Sequence, residues 1–461
     1  MTVEHVWCER ALLPSGIERG VLIGFEGGTI VSIEIDIDIE IDIDIDRPDG
    51  SVRLSGLTLP GFANSHSHAF HRALRGRTHG GPGDFWTWRE QMYAIASRLT
   101  PDNYLALARA TFAEMVLAGY TVVGEFHYVH HGPGGEPYDD PNAMGQALVQ
   151  AADQAGIRLT LLDACYLRGG AGVELDVDQQ RFGDGTATRW AERVDQLHAA
   201  LHGHETVRIG AAIHSVRAVD AASIAMVASF ADKRQMPLHA HVSEQIGENE
   251  QVAMEYGCTP TEILAQQGAL SPRFTAVHAT HLTEADVQLY GSARCTCCFC
   301  PTTERDLADG IGPSIELAAA GVALSIGSDQ HAVIDPFEEI RAVETNERLR
   351  SMRRGNHDAA SLLTAGAANG YSCLGWPRGG VIAVGSLADL TTISLESPRL
   401  AGAPEAALIE AIVFAATAAD VRDVFVGGRH IVSGGHHRSI EVATELAYSI
   451  TEITAEATNA D

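Results

Sequence analysis

Three histidines stand within residues 58–72, TLPGFANSHSHAFHR, and two of them, His66 and His68, are one residue apart behind an apolar run broken by Pro60 and Gly61. On an extended chain alternate side chains project to the same side, so His66 and His68 can reach one ion together. A third nitrogen from His241 in HVSEQ and a carboxylate from Asp329 in SIGSDQ would complete a mixed nitrogen and oxygen donor set. Such a set suits a borderline-soft divalent metal and leaves one position open for water. A His-x-His pair is a weak signal by itself, because it also ends ordinary strands. Its coincidence with His241 and Asp329, at the ends of two further candidate strands, points to a metal centre.

Those donors need a scaffold. From Thr58 to about Leu374, short apolar runs alternate with amphipathic stretches such as NYLALARATFAEMVLAG. The candidate strands are LTLPGFANSH, TVVGEFHY (121–128), IRLTLLDACY (157–166), VRIGAAIHS (207–215), MPLHAHVSE (236–244), FTAVHATH (274–281), ARCTCCFCP (293–301) and VALSIGSDQ (322–330). This alternation predicts an α/β fold of the (β/α)8, TIM-like barrel type, whose chemistry sits at the C-terminal strand ends. The ends offer His66 and His68; Glu125, His127 and Tyr128; His214; His239, His241 and Glu244; His278 and His281; and Asp329. Residues 1–57 and 375–461 read as strands, including GGVIAVGSLADLTTISL, AIVFAA and RDVFVGGRHIVSGG. They predict a small flanking β-sandwich made from both termini, with the barrel, residues 58–374, between its halves. The run IEIDIDIEIDIDID, Ile33 to Asp46, has strand periodicity and reads as a strand with one solvated acidic face or as a low-complexity hairpin extension.

Composition limits the partners. With 461 residues, 45% of them hydrophobic, the chain can bury a sizeable core. A formal charge of −28 argues against nucleic acid. It also means that an anionic substrate must be held by local arginines against the overall field. No apolar run approaches the roughly 20 residues of a membrane span, and the N-terminus lacks a secretory pattern. A soluble, cytoplasmic protein is expected, with its eight cysteines as reduced thiols. Strand alternation sends Cys295 and Cys297 to one face and Cys298 and Cys300 to the other, which suits buried packing better than a four-sulfur metal site.

At this point the strand-end pattern resembles the amidohydrolase superfamily, built as such a barrel with a β-sandwich from both termini. Some members hold two metals bridged by a carboxylated lysine. The chain's one lysine, Lys233, lies in the helix-like ASFADKRQ rather than at a strand end, so one metal is expected. The segment HVSEQ resembles the mononuclear deaminase branch. The resemblance implies a proton shuttle at Glu244, a histidine at His278 that hydrogen-bonds the attacking oxygen, with His281 as its competitor, and Asp329 as ligand and second proton acceptor.

The segments NSHSHAFHRALRG, DFWTWREQMY, GYTVVGEFHYVHH, HSVRAV, HVSEQ, VHATHL, CPTTERDLADGI and SIGSDQH together resemble the formimidoylglutamate deiminase family, over about Leu57 to Pro336. That implies hydrolytic deimination of N-formimino-L-glutamate, a small dicarboxylate, to N-formyl-L-glutamate and ammonia by a metal-activated hydroxide in histidine degradation. The alternative is another aminohydrolase of the branch, acting on a nucleobase, nucleoside or related amidine. The resemblance implies one divalent metal, zinc or iron(II), a homodimer, and substrate contacts from Arg89, Tyr128, His214 and Arg217. Arginine forks suit the two carboxylates. His71 stands where the family has glutamine and Gln330 where a small hydroxyl residue is expected; His71 is assigned to the substrate pocket. CPTTERDLADGI is expected to close over the site, with Thr302 and Glu304 as lesser candidates.

Overall fold

A computed structural model describes residues 4–36, 52–79, 85–170 and 172–455. Eight parallel strands follow one another around a barrel: β5 (Phe62–Ser67), β6 (Tyr120–His127), β7 (Arg158–Cys165), β8 (Val207–Ile213), β9 (Leu238–Val242), β10 (Phe274–His278), β11 (Thr296–Phe299) and β12 (Ala323–Ile326). A parallel bridge between Ser67 and Asp329 links the last strand's end to the first. Strands β5, β6 and β7 are buried along their whole length. Helices cover a parallel sheet of this kind on the outside, so these strands show continuous apolar runs rather than strict alternation. One covering helix, Pro101–Leu117, starts at a Thr100 capping box with Pro101 behind it and buries Leu107, Phe112 and Val116.

The second sheet draws on both termini. Its order is β16-β15-β14-β13-β4-β1-β2-β3, from β1 (Glu4–Leu13), β2 (Gly16–Glu26), β3 (Thr29–Glu34), β4 (Val52–Pro60), β13 (Leu390–Ile393), β14 (Val421–Val426), β15 (Arg429–Ser433) and β16 (His436–His437). The flanking β unit is therefore present, its strands in one hydrogen-bonded order around a core that includes Val6, Val21, Ile23, Leu54, Leu390 and Phe425. An ion pair joins it to the barrel: Arg158 donates to both carboxylate oxygens of Asp389, at 2.7 and 3.1 Å.

Three sequence expectations change in detail. LTLPGFANSH is not one strand: the chain leaves the mixed sheet after Pro60 and enters the barrel at Phe62. Gly61 makes that turn, its amide donating to the Asp389 carbonyl at 3.0 Å. A Cβ there would lie 2.1 Å from Thr121 Oγ1, so nothing larger fits. AIVFAA falls in a helix, Leu408–Ala415, because Leu408, Ile412 and Val413 recur on one helical face and are buried. Within GGVIAVGSLADLTTISL only Leu390–Ile393 is strand. The Ile/Asp run starts on β3 and continues into residues 37–51, which lie outside the described residues. Among the described residues no helix is long and apolar enough to cross a membrane.

Candidate active site

The barrel closes at the candidate site itself. The Asp329 amide donates to the His66 carbonyl at 3.0 Å and the His68 amide to the Asp329 carbonyl at 3.1 Å, which carries the β5 end across to the segment after β12. The strand ends turn sharply: Ser243, His278, Ala279, Asp329 and His331 all have positive φ, between 43° and 67°. Each such non-glycine residue costs on the order of 1–2 kcal/mol. Strained backbone concentrated at these positions aims their side chains inward instead of continuing the strands.

The four predicted metal donors converge. Nε2 of His66 and of His68 lie 3.3 and 3.4 Å from Asp329 Oδ1, and His241 Nε2 faces His66 Nε2 at 3.1 Å. Nδ1 of His68 donates to the Phe126 carbonyl and Nδ1 of His241 to the His214 carbonyl, both at 2.9 Å. Those bonds fix the tautomers so that each Nε2 presents a lone pair to the centre. Burial, reinforced by neighbouring imidazoles, holds His66, His68 and His241 well below the ordinary histidine range and hence neutral. Bare lone pairs in mutual contact beside a carboxylate are unfavourable unless a cation lies between them. The donor set therefore fits a divalent metal. Lys233 is exposed near the end of the helix Ala221–Arg234, remote in kind from a bridging ligand.

Carboxylates surround His278. Its Nε2 lies 3.7 Å from Glu244 Oε1 and 3.9 Å from Asp329 Oδ2, and its Nδ1 lies 3.6 Å from Glu304 Oε1. Burial alone would lower its pKa, but Glu244, Glu304 and Asp329 outweigh burial and hold it well above the ordinary value. Burial raises Glu244 above the ordinary carboxyl range, and pushes Asp309 to about 9 and Glu248 to about 7. His281 turns away, its Nε2 on the Asp309 carbonyl at 2.8 Å. Thr302 is engaged by Glu339 at 2.5 Å. The expected closing loop begins as a short buried helix, Pro301–Asp306, and Leu307 behind it reaches the pocket.

His68, His71, Arg89, Tyr128, His214, Arg217, His241, Glu244, His278 and Asp329 all line one pocket, and His66 lies fully buried beside it. His71 Nε2 and the Tyr128 hydroxyl are 3.0 Å apart. Burial keeps His71 neutral, so it shares glutamine's ability to donate or accept. Arg217 keeps a buried Nη1 with no hydrogen-bond partner. Arg89 is held from behind by the Tyr93 hydroxyl, which its Nε contacts at 2.5 Å. Gln330 points elsewhere, donating to Asp306 at 2.7 Å. Sequence reasoning missed Tyr93 and Tyr166, which also line the pocket. Tyr93 was findable: it stands four residues after Arg89 on the helix Phe85–Ala96, hence on the same face. The four clustered cysteines are free and fully buried, as their strand alternation implied.

A parallel barrel with this donor set at its strand ends defines a class, and residues 57–431 match the amidohydrolase family model. The chain belongs to the amidohydrolase family and is a hydrolase of C–N bonds. Among its relatives, the formimidoylglutamate deiminase of Pseudomonas aeruginosa is 38% identical over 95% of this chain and 96% of that protein. A 5-methylthioadenosine/S-adenosylhomocysteine deaminase of Natronomonas pharaonis is 28% identical over 84% of this chain and 83% of that protein. The crystal structure of an amidohydrolase from Brucella melitensis superposes with a TM-score of 0.89 at 33% identity, covering 98% of this chain and all of the other.

Proposed function

We propose that this amidohydrolase is a formimidoylglutamate deiminase, hydrolysing N-formimino-L-glutamate to N-formyl-L-glutamate and ammonia. The observation that carries the reading is the meeting of Arg89 and Arg217 with the metal-type donors in one pocket. A purine or nucleoside gives two guanidinium groups little to hold, whereas a dicarboxylate gives each a bidentate partner. The unpartnered Arg217 Nη1 and the neutral donors Tyr128, His214 and His71 support the same assignment.

In this reading His66, His68, His241 and Asp329 hold one divalent ion, zinc by preference for a set of three nitrogens and one oxygen, with iron(II) as the alternative. The ion supplies Lewis acidity, lowering the pKa of water and stabilising charge at the reacting carbon. Arg89 and Arg217 fix the substrate carboxylates and so orient the formimino carbon. As the water oxygen bonds to that carbon, Glu244 accepts a water proton. Nε2 of His278, steadied through Nδ1 by Glu304, donates a hydrogen bond to the same oxygen. Glu244 then delivers its proton to the terminal nitrogen, the C–N bond breaks, ammonia leaves, and the carbon keeps the new carbonyl oxygen. Asp329, facing His278, is the second proton acceptor: it takes the hydroxyl proton of the adduct as the carbonyl forms, which balances the reaction for a formimino group that enters as its protonated amidinium. Residues 58–374 form the catalytic unit, which contains every pocket residue named above. The proposal includes a cytoplasmic homodimer, which light scattering on purified protein tests for its oligomeric part.

The test is ammonia release from N-formimino-L-glutamate beside adenosine and S-adenosylhomocysteine, for the wild type and for Arg217→Met. The proposal predicts release from the formimino compound and a 10- to 100-fold fall of kcat/KM in the variant, the worth of about 1.5–3 kcal/mol for a charged hydrogen-bonded pair. Release from a nucleoside alone, unchanged by Arg217→Met, would transfer the site to the nucleoside reading.

A further inference from the structure

At the opposite end of the barrel lies a second cavity, of about 960 Å³, between the N-terminal strand ends and the mixed sheet. The turn after β2, the β14–β15 turn, the end of the helix Ala143–Ala155, the start of β7 and the loop before β8 contribute its walls. Arg208, on β8, opens into it, while His214 just past the other end of β8 faces the catalytic pocket. Six residue-to-residue steps along the strand separate them, roughly 20 Å. Four arginines line the cavity: Arg158, Arg208, Arg378 and Arg429. Asp389 neutralises Arg158. The acids facing the cavity are Asp153, which already contacts His204 at 3.4 Å and Thr206 at 3.1 Å, and the exposed Glu205. Arg208, Arg378 and Arg429 have no carboxylate within ion-pair distance among the described residues.

The chain carries 60 acidic residues against 32 basic ones, and several arginines elsewhere find carboxylates, as Arg72 and Arg75 do with Glu114, Arg168 with Glu255 and Arg193 with two aspartates. Here like charges are gathered instead. Arg208 is exposed on its outer side; the partial burial of its guanidinium, and after it the repulsion of Arg158 and Arg378, holds it below the ordinary arginine value. Its guanidinium is fixed over the Trp376 ring at 4.1 Å, and Arg158 lies 5.1 Å from the same ring. The stacked indole orders Arg208 before any ligand arrives, which lowers the entropy lost on binding.

We infer that this cavity is an anion-binding site, distinct from the catalytic pocket, for a small multivalent anion bearing phosphate or carboxylate groups held by Arg208, Arg378 and Arg429. A concave cluster of unpaired guanidinium groups gives local positive potential against a negative background, and its planar forks match both oxyanion types.

The experiment is titration calorimetry on the metal-loaded protein at fixed ionic strength, with fructose 1,6-bisphosphate and tricarballylate as probes. The inference predicts saturable binding of one anion per chain, weakened at least tenfold in the Arg378→Ala/Arg429→Ala double variant. It also predicts the same loss in the single reversal Arg429→Glu at the exposed start of β15, with ammonia release in anion-free buffer unchanged. Tighter binding of the bisphosphate assigns a phosphate ligand, and equal or tighter binding of tricarballylate a carboxylate one. Binding that survives in Arg217→Met places the anion outside the catalytic pocket, as inferred. Absence of saturable heat, wild-type affinity in both arginine variants, or loss of binding in Arg217→Met would overturn the inference.

Discussion

Two buried clusters in this barrel are built from the same residue types. One brings His66 together with His68 and Asp329 on one side and with His241 and His278 on the other; the other joins His127, at the end of β6, and His130, just beyond it, with Asp163 on β7. In both, histidine nitrogens and carboxylate oxygens lie close enough to share an ion. The second cluster also contains Arg193, buried, which gives two bonds of 2.8 Å to Asp163 and further bonds of 2.8 and 2.9 Å to Asp184. Trp190 donates to the same Asp163 at 3.0 Å. Its carboxylates are satisfied and its charge is balanced by a fixed guanidinium. In the first cluster no arginine or lysine among the described residues comes within ion-pair distance of Asp329, and the imidazole lone pairs face one another. Residue type alone therefore does not separate a metal centre from a structural network. The presence of a competing permanent cation does.

This contrast can be tested from both sides. The largest effect is expected at the proton-moving residue beside the first cluster. Glu244→Gln keeps shape but removes the proton acceptor, so kcat for ammonia release should fall by roughly 10²–10⁴-fold. The melting temperature should hardly change, which steady-state assays and calorimetry on one preparation will show. In the second cluster the pattern reverses. Arg193→Met leaves two buried carboxylates uncompensated and should lower stability by about 3–5 kcal/mol, with kcat per folded molecule retained, measured by urea unfolding and by assay. A lost kcat at unchanged stability would mean that the network serves chemistry after all.

Acid should act on the second cluster as well. Burial opposes ionisation of Asp163 and Asp184, but Arg193, with His131 for Asp184, outweighs it and holds both below the ordinary carboxyl range. A carboxylate depressed in the fold contributes stability that is complete above its unfolded pKa, about 4, and lost as pH falls through the folded value. Stability should therefore decline below about pH 4, and Asp184→Asn should flatten that decline, read from unfolding curves between pH 7 and 2. The smallest effect is expected for His71→Gln. Because His71 is already neutral, kcat/KM should shift only a few-fold, with little change in its pH profile between 6 and 8.

Much of the first cluster was legible in the sequence because strand periodicity is short. His66 and His68 fall on one side of a strand whatever the rest of the fold does, and His241, His278 and Asp329 mark the ends of apolar runs. Arg193 was not legible as the partner of Asp163, since 30 residues separate them and only packing of the helix Ala187–Ala200 on the barrel brings them together. The same holds for Tyr166 and for the arginine cavity, whose walls come from distant segments; Glu304 was a lesser candidate from the sequence, but its place behind His278 comes only from the fold. AIVFAA misled because a short apolar run carries no period of its own; the neighbouring Leu408 supplied it.

In the reading proposed above, one metal held by the first cluster makes this chain a deiminase. The most direct measurement is ammonia release from N-formimino-L-glutamate during titration of metal-free protein with Zn²⁺. The account predicts no release at the start, a linear rise, and a break at one equivalent per chain. Release without metal, a break at two equivalents, or silence from a fully loaded protein would contradict it.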